Sequence, residues 1–257
     1  MTFKPLPDKF LKLFAIFSIL FVSTFAQNLK DTLDLNLDFK YTPFKYKSLI
    51  LPVSLITYGV LGIESDGLKF YNREIREEVK EHVDEKITID DFSQYTGSVA
   101  VFALNSLGIK GNNSTKNKLL VFTNSYVLMG ATVLSMKNLI NIERPDGSSN
   151  NSFPSGHTAT AFMGAEFLWQ EYHENSIWLG VFGYTVAATT GIYRMLNNRH
   201  WVTDVATGAG IGLLSTKIAY WTLPIIKQKL SGMNDKTISF CPVFSKKQTG
   251  ISLSISF

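Results

Sequence analysis

The chain has 257 residues, room for one domain or two, and its apolar segments recur without a long polar linker, which favours one. Apolar residues make up 45%, but charges gather before residue 13, in 64–91 and after 227, and the nearly uncharged stretches between them suggest membrane segments. A net charge of +4, with bases spread among acids, excludes a nucleic-acid stripe; the single Cys241 excludes an intrachain disulfide, and no Cys/His metal-ligand spacing, internal repeat or low-complexity tract is present.

Residues 1–12 carry Lys4, Lys9 and Lys12, and 10–26 is nearly all apolar, ending Thr24-Phe25-Ala26. A basic head, a short apolar core and small residues near a cut predict a cleaved secretory signal in 1–26, with a retained N-terminal anchor as the alternative. Residues 27–94 form an N-terminal segment. Within it, 27–47 is polar and extended. The apolar stretch 48–63, with Pro52, Gly59 and Gly62, is long enough for a short or re-entrant membrane helix. Leu68, Tyr71, Ile75, Val79 and Val83 recur at helical spacing among Glu, Arg and Lys, which predicts an amphipathic helix, interfacial or packed on the others. Asp90-Asp91 precedes the next apolar run. Such a pair suits catalysis or a metal, but Asp90 is expected to cap the following helix.

Residues 95–230 read as a helical bundle. A short apolar segment spans 95–109, an Asn- and Gly-bearing loop 110–118, and a helix 119–136. Residues 146–152 are turn-forming; helices follow over 157–172, 176–193 and 201–226. Gly208, Gly210 and Gly212 offer a small-residue face for close helix contact. The tail, 231–257, switches to period two, which predicts a hairpin from about 237–244 and 250–257. The fold expected is an all-α membrane bundle of about five to six helices, with an extra amphipathic helix and a C-terminal β-hairpin.

Chemistry-bearing residues concentrate in 137–204. Lys137 and Arg144 are seven apart, on one side of a continuous helix, although Pro145 makes its continuation unfavourable. Cations at a helix end either anchor the interface or bind something. In Pro154-Ser155-Gly156-His157, Ser155 is a good cap, Gly156 lets backbone approach a ligand, and the free N–H groups of a helix start form an anion site. His157 in the first turn can donate a proton. His200 and Asp204 lie one turn apart, so the carboxylate can fix the imidazole's tautomer while the other ring nitrogen attacks phosphorus. Arg194 supplies a bidentate phosphate fork.

The order Lys137-x6-Arg144-Pro145, Pro154-Ser155-Gly156-His157, Arg194-x5-His200-x3-Asp204 resembles the type 2 phosphatidic acid phosphatase (PAP2) superfamily. Every charged position is met; Tyr193 stands where the pattern has Ser, which removes a hydroxyl there. The resemblance implies a phosphatase acting on a membrane lipid phosphate or polyprenyl diphosphate, with no cofactor and no metal. Phosphatidic acid, phosphatidylglycerol phosphate, undecaprenyl diphosphate and lipid A phosphates all fit. His200 would be the nucleophile, forming a phosphohistidine; Asp204 would orient it; His157 would protonate the leaving oxygen and later activate water. Lys137, Arg144, Ser155, Gly156 and Arg194 would bind the phosphate. Alternatives are a vanadium-dependent haloperoxidase of the same superfamily and a non-catalytic membrane protein. The expected partners are the lipid substrate and the membrane.

Lys110, Lys116 and Lys118 in one loop and five lysines after 226 read as cytoplasmic, which places the motifs on the periplasmic face of a bacterial inner membrane. The acidic 64–91 segment then lies outside too. This conflicts with a signal cleaved after Ala26 unless 48–63 is re-entrant or 95–109 does not span.

Overall fold

A computed structural model describes residues 45–82, 88–232, 237–245 and 248–256. The expected signal or anchor in 1–26 and the polar stretch up to residue 44 lie outside the described residues. The described chain is mostly helical. A 3-10 turn, Tyr46–Leu49, leads into α1 (Ile50–Glu64), followed by α2 (Asp66–His82), α3 (Asp90–Ser93), α4 (Thr96–Ser106), α5 (Thr115–Leu139), α6 (Gly156–Tyr172), α7 (Ile177–Leu196) and α8 (Val202–Gly232).

Among the described residues, three stretches are long and apolar enough to cross a membrane: Tyr46–Glu64, Thr115–Leu139 and Val202–Lys227. The first includes 48–63, whose crossing the sequence left open, in a helical stretch of spanning length. α4, with 11 residues, is too short to cross alone. Together with α3, however, it carries the chain from Asp90, beside the end of α7, to Ile109, beside Tyr172 at the end of α6. Many apolar side chains of α1 and α5, among them Ile50, Leu61, Val127 and Leu134, are exposed, as lipid-facing helices require.

The bundle is organised around α6, twelve of whose seventeen residues are buried. It packs on α8, α7, α4 and α5. Its Ala- and Gly-rich face lets neighbours approach closely. A Cβ on Gly208 would fall 2.4 Å from the Ser155 carbonyl oxygen, and one on Gly212 would fall 2.3 Å from that of Ala159. Gly210 faces the other way, where a Cβ would fall 2.6 Å from the Pro52 carbonyl oxygen of α1. The three glycines therefore serve two contacts rather than the single face expected. Side-chain layers fill the rest: Met129, Val133, Met163 and Ile211 toward the α6 N-terminus, and Val101, Val121, Phe167, Leu168 and Leu223 toward its C-terminus.

Capping sets the helix starts. Ser114 opens α5 by accepting from the Asn117 N–H, and Ser155 opens α6 by accepting from the Thr158 N–H. α5 stops at Leu139, where Ile140 turns extended. α2 lies over the start of α8: Asn72 donates to Thr203 Oγ1 at 3.0 Å, and the Arg76 guanidinium sits 6.0 Å from the Trp201 ring.

Candidate active site

The three motif segments meet at one end of the bundle. The connections are backbone as much as side chain. The Ser155 N–H donates to the Asp204 carbonyl at 3.0 Å, joining the starts of α6 and α8. The Asp146 N–H donates to the Asn198 carbonyl at 3.1 Å, joining the α5–α6 loop to the α7–α8 turn. Asn198 takes a left-handed conformation, φ 55°, so that the chain reverses between Arg194 and His200.

Lys137 and Arg144 are not on one helix. Pro145 and the extended Ile140 end α5 early, and Arg144 sits in the loop. That loop folds back through an Ile142–Asn151 bridge, so Lys137 Nζ donates to the Asn151 carbonyl at 2.5 Å and to that of Ser152 at 3.4 Å. The two cations still come within reach of each other's charge and of Arg194. Burial, then the charges of Arg199 and Arg194, push the Arg144 guanidinium below its ordinary pKa. Its Nε is buried with no hydrogen-bond partner among the described residues, and so is Arg194 Nε.

His200 is 3% exposed. Burial lowers its pKa to about 4, against the opposing pull of Asp204, so the ring is neutral near pH 7 and keeps a lone pair. Its Nδ1 lies 3.5 Å from Asp204 Oδ2 and 3.5 Å from Ser152 Oγ. Asp204 Oδ2 is itself held by the Ser152 hydroxyl at 2.5 Å and the Trp201 N–H at 2.9 Å. The carboxylate thus caps α8 and faces the imidazole at once. With Nδ1 turned toward these groups, Nε2 is the nitrogen available for bonding.

Arg194 is buried, and its Nη1 donates to Asp90 Oδ2 at 2.6 Å; Asp90 Oδ1 accepts from Asn197 Nδ2 at 3.1 Å. Asp91 Oδ1 lies 3.0 Å from His157 Nε2. The expectation that Asp90 caps a helix is therefore overturned. The cap position of α3 is Ile89, that of α4 is Tyr95, and the Asp90 carboxylate is drawn instead to a buried guanidinium, a far stronger partner than an exposed helix start.

Every motif residue named from the sequence lies at this end of the bundle. Missed were Ser152, Asp90 as the Arg194 partner, Asp91 as the His157 partner, and the Arg199–Asp146 ion pair at 3.2 Å that pins the two loops. The adjacent aspartates were the one available signal; Ser152 stands in a run of turn residues and carries none. Among the described residues no three His, Cys, Asp or Glu side chains are placed to hold a metal ion.

Known proteins are similar to this chain over part of its length. A model of the PAP2 superfamily matches residues 118–227. The chain is 41% identical over 163 residues to lipid A 1-phosphatase of Porphyromonas gingivalis, covering 63% of this chain but 35% of that protein. It is 39% identical over 85 residues to the bacitracin transport permease protein BcrC of Bacillus licheniformis, covering 32% of this chain and 40% of that one. The chain thus spans well under half the length of these relatives. Among solved structures, LpxE of Aquifex aeolicus is 26% identical, with 58% of this chain and 94% of that one covered at a TM-score of 0.45. A transmembrane PAP2 type phosphatidylglycerolphosphate phosphatase from Bacillus subtilis is 18% identical, with 70% and 97% covered at a TM-score of 0.44. The family match falls on the segment that carries the three motifs, so residues 118–227 are similar to the PAP2 superfamily.

Proposed function

We propose that the chain is a membrane phosphatase that removes a phosphate from a lipid phosphate or polyprenyl diphosphate through a phosphohistidine on His200. The carrying observation is the convergence of Lys137, Arg144 and Arg194 around a buried, neutral imidazole, with two guanidinium Nε donors unpartnered. Cations so close repel one another, and an anion among them relieves that repulsion.

In the proposed reaction His200 Nε2 attacks phosphorus while Asp204 holds Nδ1–H and balances the charge the ring acquires. Lys137, Arg144, Arg194 and the amides at Ser155 and Gly156 hold the phosphate oxygens, with the α6 N-terminus adding its partial positive charge. His157 gives a proton to the leaving oxygen and then takes one from water. None of these steps calls for a metal or cofactor.

The site's position favours a lipid. It lies at the ends of helices whose outer surfaces are apolar, so acyl or prenyl chains stay in the bilayer while the phosphate reaches His200. Similarity to a lipid A 1-phosphatase makes a lipid A phosphate the first substrate to try. We place the site on the periplasmic face of the inner membrane, on loop charge. Lys118 drops out of that count, being fully buried in α5, which leaves Lys110, Lys116 and the lysines after 226. The C-terminal hairpin also belongs to this proposal; the backbone pairing of β1 (Thr237–Ser245) with β2 (Gln248–Ser256), Phe240 opposite Leu253, supports it.

The test is phosphate release from a panel of lipid phosphates by the purified chain in detergent, with chelator present. Wild type is expected to turn over, and His200→Ala to lose at least about 10³-fold in kcat. A labelled phosphoryl group should be trapped on His200 after an acid-free quench. Full activity in His200→Ala would end the proposal.

A further inference from the structure

The two adjacent carboxylates of α3 are committed differently. Asp90 is buried and bound to Arg194 and Asn197. The Asp91 side chain is 52% exposed, and its Oδ1 lies 3.0 Å from His157 Nε2. Its next charged neighbour is Arg194 Nη1, at 3.7 Å. The Asp91 carboxylate caps no helix, since α3 has no side-chain cap bond. An exposed carboxylate gains little from a surface contact alone, so its direction toward one of the two site histidines needs a reason.

We propose that Asp91 is a positioning residue for proton transfer: it accepts the Nε2–H of His157, fixes the ring, and leaves the transferable proton on Nδ1. This rests on the phosphatase reading above. The charged groups facing His157 are Arg194 from α7 and Asp90 and Asp91 from α3. Burial and then Arg194 disfavour the imidazolium, and the carboxylates favour it. Asp90 already neutralises Arg194 in large part, which leaves Asp91 as the group that holds a charged ring in place.

The bonds balance as follows. In the first half, the His200 Nε2–P bond forms and the P–O bond to the lipid breaks. The leaving oxygen's electron pair takes the Nδ1 proton of His157, which becomes neutral while Asp91 keeps its Nε2–H. In the second half, a water oxygen bonds to phosphorus, its proton returns to His157 Nδ1, and the P–N bond breaks. Asp91 never loses or gains a proton.

Leaving-group dependence separates this role from a structural one. A lipid alkyl phosphate expels an alkoxide, which needs the proton, whereas 4-nitrophenyl phosphate expels a phenolate stable near neutral pH, which does not. The experiment measures kcat and KM for both substrates, across pH, with the full chain in detergent and its Asp91→Asn and Asp91→Glu variants. Asp91→Asn is expected to lose on the order of 10²-fold in kcat on the lipid phosphate and less than about threefold on the nitrophenyl ester, with KM little changed. The alkaline limb of its lipid profile should move to lower pH, and Asp91→Glu should restore most of the rate. Equal losses on both substrates, or an unchanged lipid rate in Asp91→Asn, would overturn the assignment while leaving the phosphatase reading intact. A wild-type chain that hydrolyses neither substrate would remove the parent reading and this one with it.

Discussion

Two clusters of buried charge sit at opposite ends of α6, and they are built differently. At the Tyr172 end, Lys118 Nζ has Asn105 Oδ1 at 2.9 Å, the Tyr172 hydroxyl at 3.1 Å and Glu171 Oε2 at 3.9 Å. Glu171 accepts from the Tyr220 hydroxyl at 2.6 Å and from the Asn113 side chain and backbone at 2.8 and 3.0 Å. Both charges are matched, and only a neutral acceptor, Asn113 Oδ1, is left over. At the Gly156 end, the groups left over include Arg144 Nε, Arg194 Nε and Asp204 Oδ1 on charged side chains, beside the neutral Asn198 Oδ1. A buried ionic cluster is thus no sign of function by itself. The informative feature is unmet bonding capacity on charged groups, because leaving it buried is costly unless a ligand meets it. The first cluster fastens the 107–113 loop to α6 and α8; the second keeps bonding capacity open, as the proposed phosphate binding requires.

Breaking the closed cluster gives the sharpest contrast. Lys118→Met strands Glu171 as an unpaired buried charge, for which a loss of about 3–5 kcal/mol in stability is expected. The pair Lys118→Met with Glu171→Leu removes both charges and should be much milder. In each case kcat per folded molecule should stay within about twofold, because the cluster lies at the far end of α6 from His200. Thermal unfolding in detergent, read beside lipid phosphate hydrolysis, checks this. If Lys118→Met lost activity with its melting point unchanged, the two clusters would not be separate in function.

The contrast also explains what could be read in the sequence. The motif residues were legible because the chemistry needs given residue types at short, fixed spacings: a carboxylate one turn after His200, a capping Ser before His157. The helices were legible from apolar length. The partners that complete the site were not. Asp90 meets Arg194 across 104 positions, Asp91 meets His157 across 66, and Ser152 meets Asp204 across 52. No local period encodes such pairings; they exist only once α6, α7 and α8 have packed. Lys118 shows the same limit from the other side. In sequence it is one of three loop lysines that set orientation, yet in the fold its partner lies 53 positions on, inside the bundle. The glycines of α8 carried a true packing signal, but the division of Gly208 and Gly212 from Gly210 depends on which helices flank them.

Ser152 tests how far the open cluster depends on such a partner. Its hydroxyl holds the Asp204 oxygen that faces His200, and both residues are fully buried. Ser152→Ala removes one of two anchors, the Trp201 N–H being the other. A loss of about tenfold in kcat with KM unchanged is expected, on the scale of supporting hydrogen bonds around a reactive group. Ser152→Thr should recover part of it if the added methyl is accommodated. A Ser152→Ala enzyme with wild-type kcat would show that the Trp201 N–H alone fixes Asp204.

The smallest effect expected is one of pH on stability, and its sign follows from His200. Folding lowers the pKa of this histidine from its ordinary 6.5 to about 4, so the folded chain resists a proton that the unfolded chain accepts. Above pH 6.5 the ring is neutral in both states and costs nothing. As pH falls from 6.5 toward 4 the unfolded state is favoured progressively, and below 4 the contribution levels off because both states are then protonated. At pH 6 the loss relative to pH 8 is about 1 kcal/mol. His200→Gln, neutral at every pH, should flatten this part of the stability profile while lowering activity as His200→Ala does. Parallel slopes in wild type and His200→Gln would mean that the imidazole is hydrated, and its burial would then not be what keeps it neutral for the proposed attack on phosphorus.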